Sequence, residues 1–153
     1  MNFRQSKKTD ADRIRRLVVS TFSNSESEEE GIIVGNVAYQ LVTESNGSDV
    51  FGFVAEDSGE IVGCITFSRL RFEDDTNAFI LSPVAVHSDH QGKGIGQRLI
   101  TFGIEHLKGK GVDLVTTYGD PSFYSKVGFI PVTIETIPAP FELSQPEGWL
   151  GQY

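Results

Sequence analysis

From Pro83 to Arg98 the chain reads Pro-Val-Ala-Val-His-Ser-Asp-His-Gln-Gly-Lys-Gly-Ile-Gly-Gln-Arg, an apolar strand pattern running into a glycine-dense turn that opens a helix. Gly92, Gly94 and Gly96 have no Cβ, so the backbone there can adopt positive φ and approach a ligand closely. The first N–H groups of the following helix have no acceptor within it and lie at the positive end of its dipole. A pyrophosphate suits such a turn, and Lys93 and Arg98 add charge. The competing reading is a tight connection that binds nothing. Two nucleotide signatures are ruled out: the Walker A spacing is absent, and Gln97 stands where the Rossmann pattern needs its third glycine. Upstream, Pro83 cannot donate a ladder hydrogen bond. It therefore marks either a sheet edge or a β-bulge, whose free backbone groups could meet the middle of an elongated ligand.

Other reactive side chains say less. Cys64, set in Ile-Val-Gly-Cys-Ile-Thr-Phe, reads as a core thiol of raised pKa and not as a covalent nucleophile. His87 and His90 flank Asp89 without further spaced ligands, so no metal is expected. Trp149, in a tail rich in proline and glycine, covers an apolar patch, closes an acceptor site or serves an interface, and the residues alone leave all three open.

Two segments together resemble a known family. Gln91-Gly-Lys-Gly-Ile-Gly96 resembles the Gln/Arg-x-x-Gly-x-Gly/Ala signature of the GNAT N-acetyltransferases, and Asp120-Pro-Ser-Phe-Tyr-Ser-Lys-Val-Gly-Phe129 resembles the family's second motif. They occur in the family's order, one helix and one strand apart, and the resemblance covers nearly the whole chain. The Gly-Asp-Pro-x-Phe-Tyr wording and the Pro-Glu-Gly-Trp tail are most similar to the bacterial YhbS-type subgroup.

The resemblance implies direct acetyl transfer from acetyl-CoA to a primary amine, on a small molecule or exposed on a protein. It implies that the backbone of Gln91, Gly92, Lys93, Gly94, Ile95, Gly96 and Gln97 cradles the pyrophosphate. Val84, Ala85 and Val86 would pair with the pantetheine arm like an added strand, and an amide near Val84 would meet the acetyl carbonyl as an oxyanion-type donor. Tyr124 becomes the general acid for the leaving thiolate; the plainer reading places it in an aromatic cluster with Phe123 and Phe129. Asp120, Glu56, Glu28, Glu29 and Glu30 are candidate bases, each also readable as a capping or solvated carboxylate. The implied partners are acetyl-CoA and an amine acceptor, and a homodimer is admitted. A non-catalytic acyl-CoA sensor is the rival reading, needing the glycines but not Tyr124. An anion-binding module unrelated to CoA is the third.

These residues must be positioned by an α+β arrangement of sheet and helices. A first strand is expected at 2–5, and a helix after a cap at Thr9 or Asp10, with Ile14, Leu17, Val18, Thr21 and Phe22 on one face. A second helix at 25–41 would share Ile33, Val37 and Leu41 on one side, although Gly35 weakens it. Strands are expected at 50–56 and 61–72 across the turn Asp57-Ser-Gly-Glu60, then at 78–86, making three antiparallel neighbours. A helix at 92–110, a strand at 113–117, a helical piece at 122–127 and a last strand from Phe129 complete the chain. The family likeness adds a mixed, mostly antiparallel sheet, splayed between 78–86 and 113–117 to make the cofactor slot.

The 153 residues suit one domain, 1–153, and 39% hydrophobic against 22% charged residues excludes wholesale disorder. With 21 acidic and 13 basic side chains the net charge is −8, which disfavours nucleic acid and anionic lipid and favours cationic partners such as amines. Local amides at the glycine turn can still hold a polyanion against a screened distant field. One cysteine cannot form an internal disulfide, the first residues lack the apolar stretch of a signal peptide, and no apolar run approaches the ~20 residues of a membrane span. A cytoplasmic location is expected.

Overall fold

The computed structural model describes residues 1–44 and 48–153. Among them, seven strands form one sheet: β1 Asn2–Gln5, β2 Val50–Asp57, β3 Glu60–Leu70, β4 Ala78–Val86, β5 Leu114–Tyr118, β6 Ile130–Pro131 and β7 Trp149–Gln152. Their order is β1-β2-β3-β4-β5-β7-β6, with β4 and β5 parallel and every other pair antiparallel. Four helices accompany them: α1 Ala11–Ser25, α2 Glu28–Thr43, α3 Ile95–Lys108 and the short α4 Pro121–Tyr124. The α+β class and the mixed, mostly antiparallel sheet agree with the sequence reading.

The helices cover the two faces of the sheet because their apolar stripes need partners. α3 lays Leu99, Ile100, Ile104 and Leu107 on Phe53, Phe67 and Phe79. On the opposite face Ile14, Leu17 and Val18 of α1 and Ala38 and Val42 of α2 close over Val54, Cys64 and Ala85. Cys64 and Leu70, an even number of residues apart on β3, put a third cluster on that same face, around Trp149, Leu114 and Ile137.

Asp10 precedes α1 as expected, but its carboxylate does not cap the helix. It is 1% exposed and accepts from Arg4 (2.8 and 3.0 Å), Arg13 (2.7 Å) and the Lys7 N–H (2.7 Å). Burial alone would push this carboxyl up; the hydrogen bonds from Arg4, Lys7 and Arg13 outweigh it and hold it at about 2. The network ties β1 to the start of α1.

α2 departs from expectation in its bounds and in its buried side. Ser27 accepts from the Glu30 N–H, so the helix starts at Glu28. Gly31, Gly35, Ala38 and Val42 face inward, whereas Ile33 and Val37 are half exposed. The reason is close packing on α1. A Cβ on Gly31 would run into Ser23 Oγ and the Val19 carbonyl, and one on Gly35 into Val19 Cγ2.

The end of the chain also differs. The last expected strand is only the two-residue β6, and β7, which the sequence reading omits, inserts between it and β5. Trp149 begins β7 fully buried, its indole N–H donating to the Ile137 carbonyl at 2.8 Å, so it is a core residue of the sheet.

Two irregularities interrupt the pairing of β4. Opposite β3, Ile65 pairs with Val84 and Phe67 with Leu81, so Ser82 and Pro83 together face Thr66: Pro83 sits in a bulge. Opposite β5, pairing runs only from Ala78↔Leu114 to Leu81↔Thr117. Beyond Leu81 the two strands part, and the expected splay is present.

Candidate functional site

Where β4 and β5 part, Val84, Ala85 and Val86 keep β3 on one side, through Ile65, Cys64 and Gly63, and have no β5 partner on the other. Alternation then sorts the side chains. Val84 and Val86 line a cavity of about 570 Å³, while Ala85 points to the opposite face and packs in the α1/α2 core.

The cavity continues along the glycine turn past Gln91, Gly92, Gly94, Ile95, Gly96 and Gln97. Gly92 and Gly94 have φ of 79° and 77°, and a Cβ on either would meet no atom within 4 Å. Glycine is thus required by the backbone, and the space beside it is open to a ligand. α3 starts at Ile95, later than the sequence suggests, because Gly94 is its left-handed N-cap. The Arg98 N–H closes the first turn on the Gly94 carbonyl at 3.0 Å, leaving the amides of Ile95, Gly96 and Gln97 without acceptors in the helix. Gly96 has another role: a Cβ there would sit 3.3 Å from Val86 Cγ2 and 3.4 Å from Phe123 Cζ, so it allows α3 to approach β4 and α4.

The turn is braced from behind. The His87 N–H donates to the Val62 carbonyl at 2.8 Å, and the Gln91 side chain donates to the Val86 carbonyl at 3.0 Å. His90 Nε2 lies 3.5 Å from Oδ2 of Asp57, the last residue of β2. Among the described residues no group of three His, Cys, Asp or Glu is placed to hold a metal ion.

The cations are distributed differently from expectation. Lys93 is exposed and outside the cavity wall, and the Arg98 guanidinium stacks on the Phe3 ring at 4.8 Å. Lys126 lines the cavity instead, together with Thr21, His90 and Phe123. Sequence reasoning missed these four. Thr21 left one signal, a polar residue on an otherwise apolar helix face, with its buried Oγ1 lacking a partner.

Tyr124 packs beside Phe123 and against Gly119, and it is not among the residues that line the cavity. Its ring makes edge contacts with Phe123 (4.9 Å between centroids) and Phe129 (5.7 Å), so it does belong to an aromatic cluster. Burial pushes the phenol up from its ordinary value, so it is protonated at neutral pH. Of the candidate bases, Asp120 caps α4 by accepting from the Ser122 N–H (2.9 Å) and hydroxyl (2.8 Å), and those bonds lower its carboxyl. Glu56 is bound to Arg4 at 2.6 Å. Glu28, Glu29 and Glu30 are exposed in the first turn of α2. The Cys64 thiol is buried in the α1/α2 core and pushed up to about 12 by that burial, which leaves it inert.

A split parallel pair, a bulged strand with a free edge and a glycine turn opening a helix define an α+β protein with an open cavity running along β4 into the turn. The acetyltransferase (GNAT) domain model matches residues 48–131, and the chain belongs to the GNAT family of N-acetyltransferases. It is 30% identical over 147 residues to the uncharacterized N-acetyltransferase YjhQ of Escherichia coli K12, covering 94% of this chain and 77% of that protein. Among solved structures, the GNAT N-acetyltransferase YhbS of Escherichia coli in complex with CoA superposes with a TM-score of 0.78 at 25% identity, covering 98% of this chain and 79% of that one. A GNAT acetyltransferase of Brucella melitensis in complex with acetyl-CoA gives 0.70 at 27% identity, covering 99% and 95%. The resemblance to the YhbS-type subgroup is thus matched in three dimensions. No helix among the described residues is long and apolar enough to cross a membrane.

Proposed function

We propose that residues 1–153 act as a single acetyltransferase domain that carries the acetyl group of acetyl-CoA directly to a primary amine, of a small molecule or exposed on a protein. The observation that carries this reading is the unpaired edge of Val84, Ala85 and Val86 leading straight into the open glycine turn. The pantetheine amides would add to that edge as a short strand, the mode in which extended ligands commonly join a sheet. The amides of Gly92 to Gln97 would hold the pyrophosphate, with Lys126 supplying the nearby positive charge.

The bound thioester supplies the reacting carbonyl. An amide near Val84, set apart from the regular ladder by the Pro83 bulge, polarises that carbonyl and is fixed before reaction, which is why it stabilises developing charge without reorganising. The amine attacks in its neutral form. Tyr124, kept protonated by burial, gives its proton to the sulfur as the C–S bond breaks. Asp120 and Glu56 are engaged elsewhere, so water is the proton acceptor favoured for the amine.

Calorimetry with CoA, and thiol release from acetyl-CoA across a panel of primary amines, test this together. CoA should bind, at least one amine should turn over, and Tyr124→Phe should cut kcat by roughly 10²-fold with CoA affinity unchanged. CoA binding with no amine turned over would leave the acyl-CoA sensor as the reading. No CoA binding would overturn both.

A further inference from the structure

α2 carries two apolar faces. Gly31, Gly35, Ala38 and Val42 turn inward onto α1, while Ile32, Ile33 and Val37 are half exposed on the other side, where Leu41 continues the four-residue spacing of Ile33 and Val37. The inner face is enough to hold the helix in place; the outer one lies in solvent and adds nothing to the fold. Its charges all have one sign. Glu28, Glu29 and Glu30 fill the first turn, Glu26 precedes it, Glu44 follows the last turn, and α2 contains no lysine or arginine. Arg15 of α1, which stacks on Tyr39 of α2 at 4.5 Å, is paired with Asp12.

Two copies of this face do not suit each other. Pairing α2 with α2, parallel or antiparallel, sets acid against acid, and each copy carries a net charge of −8. Three half-exposed aliphatic side chains also make a patch of a few hundred Å² at most, well short of the roughly 800 Å² per partner of a stable complex. A small apolar patch edged by carboxylates fits instead a short segment that is both apolar and basic and that binds briefly.

The face also has a fixed relation to the cavity. Gly31 packs against Val19 and Ser23, and Gly35 against Val19 and Arg15, so α1 and α2 run antiparallel in a set register. Thr21, which lines the cavity, therefore stands level with Gly31, and Ile32 and Ile33 follow within about 3 Å along the axis. Crossing α2 from its outer face covers about one helix diameter, ~10 Å, which three or four extended residues span. We propose that the outward face of α2 docks a protein acceptor: a basic segment lays apolar side chains on Ile32, Ile33 and Val37, and a lysine a few residues away passes Glu28, Glu29 and Glu30 to the fork where β4 and β5 part. This rests on the reading of the chain as an amine acetyltransferase and narrows its acceptor to lysine amines of proteins. The transfer is the one already described, with the lysine nitrogen taking the acetyl group and CoA leaving as the thiol.

The probe is a synthetic peptide with a blocked N-terminus, one lysine among arginines and two leucines about four residues from the lysine. Its binding to the CoA-saturated protein is read by fluorescence anisotropy and its acetylation by thiol release, beside the fastest small amine of the panel. The double variant Ile33→Ser, Val37→Ser changes only exposed side chains. It should weaken peptide binding and lower kcat/KM for the peptide by roughly tenfold. CoA affinity and kcat/KM for the small amine should stay within about twofold, which also shows that the variant is folded. Exchanging the leucines of the peptide for serine should cost the parent protein a similar factor and the double variant nothing further. Equal kcat/KM for the peptide in parent and double variant would overturn the docking site, as would a small amine that turns over where the peptide does not; neither result touches the transferase reading. A dimer in sedimentation that the double variant dissociates would give the face to a second copy and overturn the inference. No turnover of any amine or peptide would overturn the transferase reading and this inference with it.

Discussion

Gly94 and Gly96 look equivalent in a glycine-rich motif but do different work. At Gly94 the backbone is left-handed with open space beside it, whereas at Gly96 the helix is regular and the missing Cβ makes room for Val86 and Phe123. Gly94→Ala therefore isolates the turn. An alanine resists φ near 77° by about 1 kcal/mol or more, so the turn shifts away from the conformation it holds along the cavity. CoA affinity should fall by roughly tenfold or more, while the melting temperature drops by only a few degrees, because the turn is exposed and outside the core. Calorimetry and thermal unfolding on one preparation check both halves; unaltered affinity would remove the turn from the ligand site. The same distinction applies to the cations. Lys93 is adjacent to these glycines in sequence, yet Lys126, more than thirty residues away, shares the cavity with them.

At the scale of elements, the packing of α2 on α1 inverts what helix propensity suggests. Glycine to alanine inside a helix ordinarily gains about 1 kcal/mol. At position 35 the added methyl would collide with Val19 Cγ2 across the helix pair, so Gly35→Ala should destabilise by about 1–3 kcal/mol, read as a lower denaturant midpoint. A rise in midpoint would show that α2 can shift off α1 at no cost. This pair also shows what the sequence made legible. β4 and the glycine turn were readable because strand and helix periods switch abruptly around a glycine cluster, and Pro83 signalled its bulge by chemistry. The buried face of α2 was not, since the residues that decide it are glycines with no hydrophobicity to register, while the apolar Ile33 and Val37 face outward. β7 escaped for a related reason: Trp-Leu-Gly-Gln is too short to display alternation, and its place between β5 and β6 depends on long-range pairing. Of the candidate site, the backbone along the cavity was legible, and the side chains contributed by α1 and by the segment after α4 were not, because only the fold brings Thr21 and Lys126 to the cavity.

For the whole molecule, the net charge of −8 would bias which amines a transferase of this kind captures. Part of that charge is concentrated where α1 gives way to α2: Glu26 comes directly after the end of α1, and Glu28, Glu29 and Glu30 form the first exposed turn of α2. Thr21, one turn before the end of α1, lines the cavity, so this acidic edge lies on the helix pair that borders it. Exposed charges act weakly and are screened within about 8 Å at physiological salt, so they should affect encounter more than the chemical step. Neutral and cationic amines are therefore the expected acceptors, with strongly anionic ones poor. Replacing Glu28, Glu29 and Glu30 together with Gln should lower kcat/KM for a cationic acceptor by roughly two- to fivefold at low salt, with the difference shrinking as salt rises. The apparent affinity for acetyl-CoA should change less, because in the proposed binding mode the amides of the glycine turn would hold it at short range, through groups that salt screens little. Steady-state kinetics at two ionic strengths separate these effects. A panel in which anionic amines turn over fastest, or a triple variant whose salt dependence matches the parent, would refute acidic steering and leave acceptor choice to the shape of the fork.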